Sequence, residues 1–321
     1  MIKKLIILIA ITAIWRIQVI AQNDTLGFPN QFNRHKFWKL SAIGAGIYGG
    51  SVVLLSKAWY QSSERTSFHL FDDWGEWKNI DKLGHSYTAY FETDLLYQGA
   101  SSAGMNRKSA LWTAASLAML FQGTIEMLDA YSADWGFSIY DLSFNTAGIG
   151  LFLGQELIWR EQKIRMKMSS WPQNHPSGTI TAGDQISTTT LENRADMLFG
   201  NSVAERFLKD YNRQTIWVSF NLRSFLPDVK LPDWINLAVG YGAENMYGGF
   251  ENRWVQDGAM FELEKVRYGQ LYLAPDIDWR RIRSGSKFFR TLCSVLNVFK
   301  VPSPALEFNR NQKIKLHFIH W

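Results

Sequence analysis

The chain has 321 residues, 46% of them hydrophobic and 20% charged, with 14 Trp, 12 Tyr, 21 Phe and a single Cys. That composition excludes a disordered chain and a coiled coil, and one cysteine excludes an intramolecular disulfide framework or a cysteine metal cage. The net charge of +5 and pI near 9.1 do not imply nucleic acid. The basic residues form no run except Arg160, Lys163, Arg165 and Lys167, which follow an apolar segment, and no nucleic-acid fold signature accompanies them.

In chain order, residues 1–21 read as a secretory signal peptide. Lys3 and Lys4 precede an apolar run, and Val19-Ile20-Ala21 offers a small-residue cleavage site, with Arg16 the one discordant residue. A polar N-terminal segment follows at 22–36. Residues 37–168 predict an α-helical bundle of four hydrophobic helices. The first, at 40–56, is uncharged and contains Gly44, Gly46, Gly49 and Gly50, which let a neighbouring helix approach closely. Three more are expected at 81–103, 108–130 and 139–160, separated by turn-rich stretches. Their uncharged runs fall short of the ~20 residues that cross a hydrocarbon layer. The flanking Lys and Arg fit four spans with the N-terminus inside, whereas a cleaved signal places it outside. The expectation is therefore a bundle that does not cross the inner membrane.

A polar linker rich in Ser, Thr and Gly is expected at 169–204, and the pattern then changes to period two. Strands are predicted at 214–225, 234–241, 266–274 and 314–321, with another at 160–171 and a helix at 286–299 stopped by Pro302 and Pro304. The fold class is α+β, with the helical bundle followed by a mainly antiparallel β region at 205–321. Five or six strands are too few for a closed eight-stranded outer-membrane barrel. A sheet packed on the bundle is expected instead.

Chemistry concentrates in three polar blocks. Asp81, Lys82 and His85 open the second helix, Glu126 and Asp129 close the third, and Asp141 and Asn145 open the fourth. Spacings of three and four put each set on one helix face. In an up-and-down bundle those three helix ends lie together, so the side chains converge. Three chemistries fit them. The first is a buried network that fixes helix register, with Ser138-x-x-Asp141 acting as a helix cap. The second is a divalent metal held by His85 with Glu126, Asp129 and Asp141. The third is acid–base catalysis, in which the clustered carboxylates raise one another's pKa and His85 shuttles a proton. Ligand binding at the same cluster is a fourth use. His317 and His320, three apart on a strand, are expected on opposite faces.

The blocks Asp81-Lys82-x-x-His85, Glu126-x-x-Asp129 and Gly136-Phe137-Ser138-x-x-Asp141-x-x-x-Asn145-x-x-Gly148 resemble the YfiM-like family, (lipo)proteins of unknown function. A looser similarity reaches the VanZ-like membrane family. The run Leu208-Lys209-Asp210-Tyr211-Asn212-x-Gln214-Thr215-x-Trp217 and the Gly240-Tyr241-Gly242 strand resemble the long envelope-protein branch, which adds a β-rich C-terminal part. The resemblance implies a cell-envelope location but no activity. The lipid-acceptor cysteine of the short members has no counterpart after the apolar run. The expected function is thus a membrane-associated envelope component, structural or ligand-binding. The periplasmic side or outer membrane is its expected place, and membrane lipid or other envelope proteins are its partners. The alternative is a metal-assisted or acid–base hydrolase acting at a membrane surface.

Overall fold

The computed structural model describes residues 31–59, 64–171, 174–310 and 314–321. The expected signal peptide at 1–21 and most of the expected polar segment at 22–36 lie outside the described residues. Two compact units form. One comprises the residues up to Asp73, Gly84–Lys163 and Trp279–Leu296; the other comprises Trp74–Leu83, Ile164–Asp278 and Asn297–Trp321. Helices lead and a mainly antiparallel sheet follows, so the α+β class holds.

The helical unit contains α1 (Arg34–Trp59), most of α2 (Ile80–Ser102), α3 (Arg107–Asp129) and α4 (Ile139–Ile158). Polar residues start three of these helices where free amides need an acceptor. Asn33 Oδ1 accepts from the Lys36 amide, Asn106 from Ser109 and Ser138 Oγ from Asp141. The core between α2, α3 and α4 is small: Ala89, Ala115, Ala118 and Ile149, with Leu96, Met119 and Leu153 against them. Small residues let helix backbones approach, and Gly148 is where they meet. A Cβ there would stand 2.0 Å from the Ser86 carbonyl oxygen. On α1, Tyr48 stacks on Phe121 with ring centroids 4.4 Å apart and shares a 2.6 Å hydrogen bond with Thr124. Among the described residues no helix is long and apolar enough to cross a membrane.

A second polar network fastens α2, α3 and α4. Glu156 accepts from Arg107 Nη2 at 2.6 Å, Tyr97 OH at 3.2 Å and Gln162 Nε2 at 3.1 Å, while Tyr90 OH and Gln155 Nε2 both donate to Gln162 Oε1. Each hydrogen bond satisfies a group whose isolated burial costs roughly 1–3 kcal/mol. The helix expected at 286–299 forms as α8 (Lys287–Leu296) and holds the buried Cys293.

The second unit is built on a six-stranded antiparallel sheet in the order β1-β4-β5-β8-β9-β10. These strands are β1 (Ile164–Ser170), β4 (Gln214–Asn221), β5 (Ile235–Glu244), β8 (Tyr268–Ile277), β9 (Ser303–Asn309) and β10 (Lys315–His320). The expected polar linker at 169–204 contains a hairpin, β2 (Thr179–Thr181) with β3 (Thr188–Thr190), and α5 (Leu191–Phe199). Leu191, Ala195 and Phe199 share a core with Trp254 and Phe261 from a further hairpin, β6 (Arg253–Gln256) with β7 (Ala259–Glu262). Next come α6 (Val203–Lys209), opened by a Ser202–Glu205 capping box, and the one-turn α7 (Leu222–Phe225), where Asn221 caps the end of β4. The expected strand at 214–225 therefore stops at Asn221.

Strand β9 escapes the sequence pattern because Pro302 and Pro304 read as terminators. Its pairing with β8 runs from Gln270↔Asn309 to Leu273↔Leu306, beyond the prolines, so their missing amides cost the ladder nothing. His317 and His320 also depart from expectation. A register shift between them turns both imidazoles to one face, with ring centroids 5.1 Å apart.

The face that these two histidines share is polar and buried. Asp276 pairs with Lys167 at 2.8 Å and accepts from Ser219 Oγ at 2.7 Å; Arg165 pairs with Asp278 at 2.8 Å. Glu307 accepts from Gln270 at 2.8 Å and lies 2.6 Å from His317 Nε2. Trp217 lies across Gly240, where a Cβ would stand 2.6 Å from the indole, so only glycine admits the ring.

Candidate functional site

The helical unit brings four of the predicted site residues together. His85 sits two turns into α2, Glu126 one turn before the end of α3, and Asp141 and Asn145 in the first two turns of α4. Asn145 is fully buried and joins the other three. Its Nδ2 donates to Glu126 Oε1 at 3.4 Å, and its Oδ1 faces His85 Nδ1 at 3.3 Å. An amide oxygen only accepts, so this chain of bonds places a proton on His85 Nδ1. Nε2 is the remaining nitrogen, and it lies 3.8 Å from Asp141 Oδ1. Glu126 Oε1 is 3.6 Å from Nδ1. Two carboxylates thus bracket one imidazole that a buried amide also contacts.

Asp141 is anchored through its backbone. Its amide donates to Ser138 Oγ at 2.9 Å, and the Ser138 hydroxyl donates to Asp73 Oδ1 at 2.7 Å. The serine therefore caps α4 while the Asp141 carboxylate approaches the His85 ring. Asp129 ends α3, one turn past Glu126 on the same face, and its carbonyl accepts from the Ser132 amide at 2.9 Å.

Glu92 was not among the expected residues. It lies seven residues after His85 on α2 and accepts from Gln122 Nε2 at 2.9 Å, with Gln122 one turn before Glu126 on α3. Burial pushes its carboxyl up to about 7, opposed by the Gln122 hydrogen bond and by His85. The signal was the i, i+7 spacing from His85, masked because the surrounding pattern reads as ordinary helix.

Asp81 and Lys82 have partners in the sheet-containing unit. The α2 helix starts there, and Asp81 Oδ1 accepts from Tyr211 OH at 2.6 Å while Oδ2 takes Lys82 Nζ at 3.2 Å. The preceding turn is tied to the same unit by the Trp77 amide on Gly249 O at 2.7 Å and by Tyr241 OH on Lys78 O at 2.7 Å. Asp81 thus holds Tyr211 and Lys82, and it also offers a carboxylate oxygen that lies within 4.8 Å of ligand atoms of both His85 and Asp141. Along the continuous helix, Asp81 still lies one turn before His85.

The run 208–217 also acquires roles. Asp210 bonds His175 Nε2 at 2.8 Å, and His175 Nδ1 meets Tyr247 OH at 3.1 Å, a fully buried carboxylate–imidazole–phenol line. Asn212 Nδ2 donates to Met246 O and its Oδ1 accepts from Met246 N, like an added strand residue. Gln214 Nε2 donates to the Phe207 and Leu208 carbonyls, and Trp217 Nε1 donates to Ser169 Oγ. Sequence reading attached no role to His175, whose partners are 35 and 72 residues away.

No curated protein and no solved structure matches the chain. Residues 70–153 match a family described as predicted periplasmic lipoprotein, DUF2279. That stretch contains His85, Glu92, Glu126, Asp141 and Asn145, whereas the run 208–217 lies beyond it. The segment that carries the His85 cluster is therefore similar to a periplasmic family without an assigned activity, which supports a protein of the cell envelope on its periplasmic side.

Proposed function

We propose that this protein is a membrane-associated component of the cell envelope whose helical unit binds a divalent cation at His85 and Asp141. The observation that carries the reading is that ligand atoms of Asp81, His85 and Asp141 all lie within 4.8 Å of one another. With the proton on Nδ1, His85 Nε2 offers its lone pair beside the Asp141 carboxylate, the donor pair that zinc- or iron-type ions take. Glu126 and Asn145 would orient the imidazole from behind, as hydrogen-bond partners of metal-binding histidines do. Asp81 is the third candidate ligand, and Asp129, one turn past Glu126, is a further one. Lys82, bonded to Asp81, balances charge there.

The test is metal analysis of the purified full chain together with melting in added zinc or manganese. One ion per chain and a melting temperature that rises with metal are expected, and both should be lost in His85→Ala. A metal-free wild type whose melting does not respond to millimolar metal would sink the reading.

A second reading, a hydrolase working by acid–base chemistry, draws on Glu92. A carboxyl held near pH 7 beside an imidazole is matched to proton transfer at neutral pH. Turnover of an ester or phosphoester substrate that disappears in Glu92→Gln while the fold is kept would support it.

A further inference from the structure

The six-stranded sheet has its polarity inverted. The buried face carries Arg165, Lys167, Asn236, Gln270, Asp276 and Glu307 around a small cluster of Trp217, Ala238, Tyr272, Ala274 and Ala305. The opposite face carries Val239, Leu271, Leu306, Phe308, Leu316 and Phe318, each more than a third exposed, while Met166, Ile216 and Ala243 on it are buried. Alternate positions of β1, β4, β5, β8 and β9 put no Lys, Arg, Asp or Glu on that outer face. We propose that this outer face lies against the acyl chains of a phospholipid layer. The proposal rests on the membrane-associated part of the reading above, and names the surface and the lipid component involved.

Four observations favour lipid over a protein partner. An antiparallel sheet in water turns its apolar face to the core and its polar face outward; the reverse is stable when the surrounding medium is hydrocarbon. Behind the apolar face stand ion pairs and amides around only one small cluster of two aromatic residues and three alanines, so most of the large aliphatic side chains of the sheet point outward. The central strands β5 and β8 have ten residues each, the length of a tilted membrane strand. An exposed aromatic residue, Trp234, precedes β5 at an end of the sheet, the position that aromatic residues take at membrane interfaces. The backbone is also prepared for a medium without water. The outer edge of β1 is met by the incoming chain, with the Met168 amide on Val298 O at 3.3 Å and the Lys300 amide on Met168 O at 3.0 Å.

The experiment places an environment-sensitive fluorophore on single introduced cysteines of the full chain, Val239→Cys and Leu271→Cys on the outer face and Thr181→Cys on exposed β2. Cys293 is buried, and burial pushes its thiol up, so it competes poorly for the label. Labelled protein is mixed with phosphatidylethanolamine–phosphatidylglycerol vesicles, with or without nitroxide on the acyl chains. Several-fold quenching by lipid nitroxide and protection from iodide are expected at 239 and 271, with the reverse at 181. If the protein sediments with vesicles yet iodide reaches 239 and 271, the sheet assignment fails while membrane association stands. If it does not sediment with vesicles, both fail. If the outer labels are protected without lipid and the chain sediments as a dimer, a second copy covers the face and the proposal is overturned.

Discussion

At the scale of single residues, the members of the His85 neighbourhood that matter most chemically differ in how visible they were. His85, Glu126 and Asp141 stand out by spacing, whereas Glu92 gains its character only from burial and its Gln122 partner. Its raised pKa has a signed consequence. Between about 4.5 and 7 the folded state holds a proton that the unfolded state releases, so Glu92 contributes stability at low pH that is lost as pH rises through 7. Glu92→Gln keeps an acceptor for Gln122 and removes the charge. It should therefore stabilise the protein by about 1 kcal/mol at pH 8, after allowance for partial exposure, and change little at pH 4. Denaturant unfolding at the two pH values checks this, and equal shifts at both would contradict the assignment.

Among elements, helix contacts and buried charges give the sharpest expectations. Gly148→Ala drives a methyl into the Ser86 carbonyl, where backbone has to move, so a loss of about 3 kcal/mol is expected from melting of the variant. Gly84, at the start of the same motif set, has nothing within 4 Å of its Cβ position, and Gly84→Ala should be neutral or slightly stabilising. In the sheet, Lys167→Met leaves Asp276 buried with its closest countercharge gone, and a cost of about 3–5 kcal/mol follows. The four bundle helices, β1, β4, β5, β8 and β10 were legible because period and turn residues agree there. Strand β9 was not, because prolines at its start mimic a stop. The hairpins at 179–190 and 253–262 were not, because polar Thr-rich strands and a four-residue strand lack a long alternation. The pairing of His317 and His320 was hidden for a different reason: a bulge is a register property that no local spacing encodes.

For the whole molecule, the composition that first excluded disorder gains a second meaning. Of the 46% hydrophobic residues, a share is buried in small clusters, while Leu271, Phe308, Leu316 and Phe318 among others stay exposed on the sheet. Purified without detergent or lipid, the protein should self-associate, and size measurement after detergent dilution should show large species. Val239→Lys with Leu271→Lys should reduce that association.

The bulge in β10 has a bearing on self-association too. β10 is the last strand of the sheet, and a free flat edge accepts strands from other chains. By putting Phe318 and Ile319 side by side between two inward histidines, the bulge breaks the regular row of donors and acceptors along that edge. The other edge strand, β1, already bonds Val298 and Lys300. A sheet blocked at both margins cannot be lengthened by a neighbour, so association between copies is steered to side chains, which lipid can reverse, and away from backbone-paired fibrils, which it cannot.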